Sequence, residues 1–215
     1  MTSVTATKAL DAQYLAQSTT AQTITINRAA QATLTVSSIA GLKHGQTMTL
    51  TASGGSGTGA ITYTASGACT VSGATLTGGN AGTNCVVYAT KAQSTNYLAI
   101  DSANVTELVG KSTQTITLVT NRDIPTALGT YSVMASATSG GSVTVSIDSA
   151  TSAVCSVSGT VVTFLKSGLC TLVLDQAGTS NFEPATQVTQ NLTVRRADQT
   201  ITFAQPANTV MFATV

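Results

Sequence analysis

The sequence predicts an all-β chain of tandem sandwich-like units, each about 84 residues long and closed by one disulfide. Three observations predict it. Segments recur at a near-constant offset. Short runs alternate apolar with small polar residues between turn formers. The four cysteines fall two to a repeat at matched positions.

The recurrence is dense. Ala6-Thr7-Lys8-Ala9 returns as Ala89-Thr90-Lys91-Ala92, and Tyr14-Leu15-Ala16 as Tyr97-Leu98-Ala99, both 83 positions on. Gln114-Thr115-Ile116-Thr117-Leu118 returns as Gln199-Thr200-Ile201-Thr202-Phe203, 85 positions on. Cys155 and Cys170 follow Cys69 and Cys85 by 86 and 85 positions, and Asn181-Phe182 follows Asn96-Tyr97 by 85. Gln190–Ala197 matches Gln22–Ala29 at 168, the sum of 83 and 85. The expected organisation is therefore the end of one repeat (1–30), two whole repeats (31–113 and 114–198) and the opening of another (199–215). A period this long suits a small sandwich domain rather than a solenoid unit that cannot fold alone.

Taken in order, the Ala-rich segment Lys8 to Gln17 matches Lys91–Ile100 and is expected as a loop or strand edge, not a helix. The first whole repeat predicts strands at Gln46–Ala52, Ala60–Ala65, Ala74–Thr77, Cys85–Ala89 and Ala103–Val109. The second predicts them at Thr115–Val119, Ser142–Ile147, Val161–Leu165, Cys170–Leu174 and Thr189–Val194. Period-two alternation turns apolar side chains to one face and Thr or Ser to the other. Thr makes up roughly a fifth of the chain, and β-branched residues favour strands over helices. Ser139-Gly140-Gly141, Ser158-Gly159 and Ser167-Gly168 punctuate the runs as turns, a pattern typical of a sandwich or barrel. The joints at 109–113 and 194–198 lack the Pro, Gly and Ser richness of a flexible tether, so neighbouring repeats are expected end to end with limited bending.

The cysteine spacing, Cys69 to Cys85 and Cys155 to Cys170, is no zinc signature: CxxC pairs are absent and His44 is the only imidazole. A disulfide within each repeat is the favoured reading, and a pair of buried small apolar side chains is the alternative. Disulfides would place the protein in an oxidising compartment, extracellular or on the cell surface. Thr2 stands where Cys85 stands 83 positions later, so the chain starts without a stranded half-bridge. With no signal-peptide pattern at the N-terminus, it reads as a piece of a longer secreted protein.

Composition excludes several function classes. Of 215 residues only 8% are charged, and the formal net charge is +1. No basic cluster exists for a phosphate backbone, so no nucleic acid is expected as a partner. No apolar run approaches the roughly 18 residues that span a bilayer, so no membrane insertion is expected in this segment. No catalytic constellation is found. His44 reads as an exposed loop residue, and Glu107 and Glu183 lie in non-equivalent places. The Gly54–Gly59 run lacks the Lys and following helix of a phosphate loop and reads as a hairpin loop. The joints carry too few acids for calcium, so no cofactor or metal is expected. The sequons at Asn104 and Asn191 lie on expected last strands and are expected to stay bare. Tyr14, Tyr97 and Phe182 place one aromatic at the same point of every repeat and are expected to pack within or between repeats.

The run Gln114-Thr115-Ile116-Thr117, Val154-Cys155-Ser156-Val157-Ser158-Gly159, Val162-Thr163-Phe164, Ser167-Gly168-Leu169-Cys170-Thr171-Leu172, Asp175-Gln176-Ala177-Gly178 and Asn181-Phe182 resembles the bacterial immunoglobulin-like repeats of giant surface proteins and adhesins. The earlier repeat is more diverged: it keeps Cys69-Thr70-Val71-Ser72-Gly73 and Asn84-Cys85 but has Lys91-Ala92-Gln93 for the Gln-Ala-Gly. The resemblance implies an immunoglobulin-like β-sandwich, a secreted or surface-attached bacterial protein, and a stalk or adhesive role. It brings no shared catalytic residues and names no ligand. Three functions are thus expected in turn: a non-enzymatic stalk or spacer; a subunit of a filament, sheath or surface layer assembling by strand exchange between copies; and a glycan- or protein-binding module. The expected partners are neighbouring repeats of the same or identical chains, then a host or cell-surface protein or glycan.

Overall fold

The computed structural model describes residues 2–119 and 125–204 and divides into two units, Met1–Ser112 and Thr113–Val215. Of the expected further repeat at 199–215, residues 205–215 lie outside the described residues. Strands and a single 3-10 turn make up the regular structure among the described residues.

The first unit opens with β1 (Thr2–Val4), β2 (Thr7–Lys8), β3 (Gln17–Ser18) and β4 (Gln22–Ile24), where β1 pairs with β4 and β2 with β3. There follow β5 (Leu34–Val36), β6 (Thr47–Thr49), β7 (Ala52–Gly54), β8 (Ile61–Gly67), β9 (Cys69–Ser72), β10 (Thr75–Gly78), β11 (Asn84–Lys91), β12 (Ile100–Asp101) and β13 (Val105–Leu108). One layer is β6-β10-β9. The other is centred on β11, which pairs with β8 on one edge and with β12 and β13 on the other, while β5 and β7 form a separate pair.

The second unit has β14 (Ile116–Val119), β15 (Thr130–Ser132), β16 (Met134–Ala137), β17 (Thr144–Ile147), β18 (Cys155–Ser158), β19 (Val161–Phe164), β20 (Gly168–Asp175) and β21 (Val188–Val194). Its layers are β15-β19-β18 and β17-β20-β21, with β14 paired to β16. A 3-10 turn at Ser149–Thr151 is capped by Asp148, whose carboxylate accepts from the Ala150 amide at 2.9 Å.

Alternation explains the central strands. In β11 the inward Cys85, Val87 and Ala89 are buried while Val86, Tyr88 and Thr90 are half-buried. In β20, Cys170, Leu172 and Leu174 occupy the inward set. The layers close on these side chains. One core gathers Ile39, Leu42, Leu50, Leu76, Val87 and Val109; the other gathers Tyr131, Val162, Phe164, Leu172 and Leu174. The disulfides Cys69–Cys85 and Cys155–Cys170 run from β9 to β11 and from β18 to β20, tying layer to layer across Cα separations of 5.3 and 5.9 Å. Each unit is therefore an immunoglobulin-like sandwich with a disulfide through its core.

Registers correspond between the units. Cys69 faces Gly78 across the β9–β10 hairpin, and Cys155 faces Phe164 across β18–β19. The first loop residue of both hairpins is a glycine at φ 59, Gly73 and Gly159, a conformation that costs an L side chain. Cys85 faces Glu107, and Cys170 faces Leu192. In the N-terminal segment Thr2 faces Ile24, the same register 83 positions earlier. A parallel bridge closes each unit, Lys43 to Gly110 and Thr126 to Arg195.

The expected single strand Gln46–Ala52 is two strands. The chain bends at buried Leu50, so that β6 joins the β10 layer and β7 pairs with β5. Buried Val133 divides β15 from β16 in the same way. A side chain that fills the corner between two layers forces the strand to change sheets there. The Gly54–Gly59 run is likewise not a hairpin loop, because β7 and β8 pair with different partners; it crosses between sheets.

Replacing Cys155 and Cys170 together by Ala should lower the stability of the second unit by about 3 kcal/mol in urea unfolding, the loop-closure value for about 15 residues. An unchanged midpoint would deny the bridge a structural role.

Candidate interaction surface

The loops that carry the recurring aromatics are the most elaborated part of the surface. Each begins with a residue whose short polar side chain can fold back on the backbone: Asp11, Ser94 or Thr179. The amide of that residue donates to the aromatic's carbonyl at 3.0 Å in all three loops, Asp11 to Tyr14, Ser94 to Tyr97 and Thr179 to Phe182. The Asp11 carboxylate also accepts from the amides of Gln13 and Tyr14, each at 2.9 Å, and the Thr179 hydroxyl from those of Asn181 and Phe182, each at 3.2 Å.

A buried glutamine plugs the loop in both sandwiches. Gln31 is 8% exposed and Gln114 is 6% exposed. The Gln31 amide donates to the carbonyls of Leu98 at 2.6 Å and Ala92 at 3.4 Å, while its oxygen accepts from the Gly57 amide at 3.1 Å. The Gln114 amide donates to the carbonyl of Glu183 at 2.7 Å and to the side-chain oxygen of Gln176, and its own oxygen accepts from the Ser139 hydroxyl. Leu98 and Glu183 occupy the same place, one residue after the aromatic. A buried primary amide is tolerable only when its polar atoms find partners, and in both glutamines the nitrogen and the oxygen find them, the carbonyl after the aromatic among them.

The residues just before Gln31 join the same loop as an extra strand. Ala29 bridges Tyr97 in parallel; its amide donates to the Asn96 carbonyl at 2.8 Å, and its carbonyl accepts from the Leu98 amide at 2.9 Å. The Arg28 guanidinium donates to the Gln93 side chain at 2.7 Å and to the Thr95 carbonyl at 3.4 Å. The glycine-rich run lines this contact. A Cβ at Gly55 would come within 2.9 Å of the Gln31 side-chain oxygen, and one at Gly59 would run into the Ala92 carbonyl. The run thus cradles the chain's own glutamine.

The aromatics differ in surroundings. Tyr97 and Phe182 are half-buried, whereas Tyr14 is 66% exposed. The Lys8 ammonium stands 5.2 Å from the Tyr14 ring centre and 2.6 Å from the Asp11 carboxylate. That ion pair, helped by the Gln13 and Tyr14 amides, holds the Asp11 carboxyl below its ordinary value of 3.8. Val4, Leu15, Ile24 and Ile26 are also exposed, although Val87, the counterpart of Val4, is fully buried.

His44 is not an exposed loop residue. It is half-buried, and its Nδ1–H donates to the Gly79 carbonyl at 2.6 Å, while its backbone amide donates to the Gly110 carbonyl at 2.9 Å and its carbonyl accepts from the Ser112 hydroxyl beside the parallel bridge. Asn191 lies on β21, its side-chain oxygen accepting from the Thr171 hydroxyl at 2.8 Å, and Asn104 immediately precedes β13. Among the described residues no three His, Cys, Asp or Glu side chains gather as metal ligands, and no helix is long and apolar enough to cross a membrane. Sequence reading missed Gln31 and Gln114 as buried groups; the signal was a glutamine standing two or three residues before the first strand of each sandwich.

No family model matches the chain, and no curated protein matches it. Among solved structures it is similar to human protocadherin-24 EC1-2, at 14% identity and a TM-score of 0.34 over 80% of this chain and 99% of that one. It is also similar to the fibronectin(III)-like modules of Clostridium thermocellum CbhA, at 12% identity and a TM-score of 0.31 over 80% of this chain and 100% of that one. At these scores the sandwich assignment stands on the strand pairing above and not on the likeness.

Gln114→Ala should cost about 1–3 kcal/mol in urea unfolding, because it removes the side-chain donor to the Glu183 carbonyl and leaves the Gln176 oxygen with only the Gly178 amide. A loss below about 0.5 kcal/mol, the size of an ordinary surface substitution, would remove the plug from consideration. The Asp11 turn should respond to acid. Its folded carboxyl titrates below 3.8, so its stabilisation is present above that value and fades as pH falls through the lower folded one. The Tyr14 amide resonance should shift in that range, and Asp11→Asn should abolish the shift.

Proposed function

We propose that the chain is a non-enzymatic structural or adhesive segment of a large secreted or cell-surface bacterial protein, a stalk or spacer of the bacterial immunoglobulin-like type. The observation that carries this reading is the reuse of one pairing pattern. A disulfide-pinned sandwich recurs with the same hairpin registers in the second unit, and its final strand pair recurs in the N-terminal segment. A scaffold gains from copies of one stable unit, whereas a catalyst needs one convergent set of groups. The boundaries 1–30, 31–113, 114–198 and 199–215 are proposed as the repeat limits. The paired cysteines support an extracellular place, since such bridges persist in oxidising compartments.

A second reading, assembly between copies into a filament, sheath or surface layer, is favoured by one feature. Val4 and Ile26 are 51% and 84% exposed, whereas their counterparts Val87 and Val109 are fully buried in a core. Exposed apolar faces and unpaired strand edges invite partners.

Small-angle scattering tests the spacer. A compact globule of 215 residues has a radius of gyration of about 17 Å. An extended string of repeats should clearly exceed that, and tandem concatemers should lengthen in proportion to copy number. A radius near the globular value would end the spacer reading.

A further inference from the structure

We propose that the free edge of β8 takes the β8 strand of a second copy, antiparallel and about a two-fold axis at Tyr63, so that a sheet of one copy continues into the same sheet of the other. The proposal goes beyond the spacer and filament readings and draws on no residue of the N-terminal segment.

β8 pairs with β11 and with no other strand. The ladder fixes which backbone groups it uses. The Ala60 carbonyl accepts from the Ala92 amide, and the Ala68 amide donates to the Asn84 carbonyl, each at 2.9 Å. Bonded positions alternate in an antiparallel pair, so Thr62, Thr64 and Ser66 turn their amides and carbonyls to β11. Ile61, Tyr63 and Ala65 turn theirs the other way, and among the described residues these groups meet no partner.

Such an edge is normally short, charged or covered. β8 is seven residues long, and residues 60–67 carry neither charge nor Pro. Other edges are guarded. β12 and β13 carry Asp101 and Glu107. β6, β9, β15 and β18 have three or four residues each. β17, the counterpart of β8, has four and runs into the turn capped by Asp148. β21 runs into the parallel bridge from Arg195 to Thr126.

The edge recognises an extended backbone, and the sequence of β8 suits its own copy. With Tyr63 opposite Tyr63, Ile61 lies opposite Ala65, a large side chain beside a small one. All three positions carry outward backbone groups, so each pair exchanges both of its hydrogen bonds. Between them Thr62 lies opposite Thr64, both exposed, which sets hydroxyl beside hydroxyl on the outer face. Tyr63 and Ala65 are half-buried against the core of their own unit, so the inner face stays apolar across the seam. No like charges meet there. The patch is the same on both copies, and the contact closes as a dimer. One strand pair is smaller than a permanent interface, so the dimer is a weak one.

The test is hydrogen exchange and sedimentation velocity of the oxidised full chain over a wide concentration range. The Ile61, Tyr63 and Ala65 amides should exchange fast in dilute protein and slow as the dimer forms, while those of Thr62 and Thr64 stay protected throughout. In Thr62→Lys/Thr64→Lys each new lysine faces a lysine of the other copy, and association should fall about tenfold or more. Mixing that variant with Thr62→Glu/Thr64→Glu should restore association as a mixed dimer. Both positions are exposed, so thermal melts should match the wild type. A strictly monomeric wild type, dimers that the lysines leave intact, or edge amides whose exchange ignores concentration would overturn the contact. Open polymers that persist in the lysine variant would overturn it and leave the filament reading standing. Edge amides slowed by an added Thr-Val repeat peptide but not by concentration would give the edge to a foreign strand and overturn the second copy as its occupant.

Discussion

The sulfur bridge between layers is the constraint on which each sandwich depends. There is no Trp in the chain, and the buried cluster of the first unit contains no aromatic at all, only Ile39, Leu42, Leu50, Leu76, Val87, Val109 and its two cysteines. Thin aliphatic layers remove little apolar surface from water, so the margin over chain entropy is small. The bridge joins the middle strand of one layer to an outer strand of the other at their inward faces. It restricts the unfolded chain and fixes which faces meet. Cys69 and Cys155 sit opposite Gly78 and Phe164, so a one-residue slip of either hairpin would turn its cysteine to solvent.

How much of this was legible in the sequence follows from what periodicity encodes. β8, β11, β20 and β21 alternate strongly and were placed to within a few residues. Strands of three or four residues, such as β5, β15 and β16, are too short for a period to stand out, and the chain signals at Leu50 and Val133 look like ordinary inward positions. Whether a buried aliphatic continues one sheet or turns a corner depends on what lies across from it, which a single sequence does not state. The glutamine plug was hidden for a different reason. Gln114 was visible as a motif residue, but its burial is set by Gln176 and Glu183 more than 60 positions away. His44 was misjudged for the same cause, since its partner Gly79 lies on the far side of a hairpin.

The aromatic loops connect local chemistry to a role. A side-chain oxygen shapes the turn, the turn presents a carbonyl, and a glutamine from the start of the repeat takes it. The aromatic itself is secondary to this arrangement, which explains why Tyr and Phe alternate at the position. In both sandwiches the approach to the first strand is thereby fastened to a loop that leads into the closing strands, through a contact that includes polar atoms at fixed distances.

Charge is nearly absent from this construction. Among the described residues the one ion pair is Lys8–Asp11, on the surface. Layers, corners and plugs are held by apolar contact, neutral hydrogen bonds and sulfur, and charged groups enter through single hydrogen bonds such as those of Arg28 and Asp148. Coulombic screening therefore has little to act upon, and the fold should be indifferent to the salinity of the water around it, whether fresh, brackish or marine.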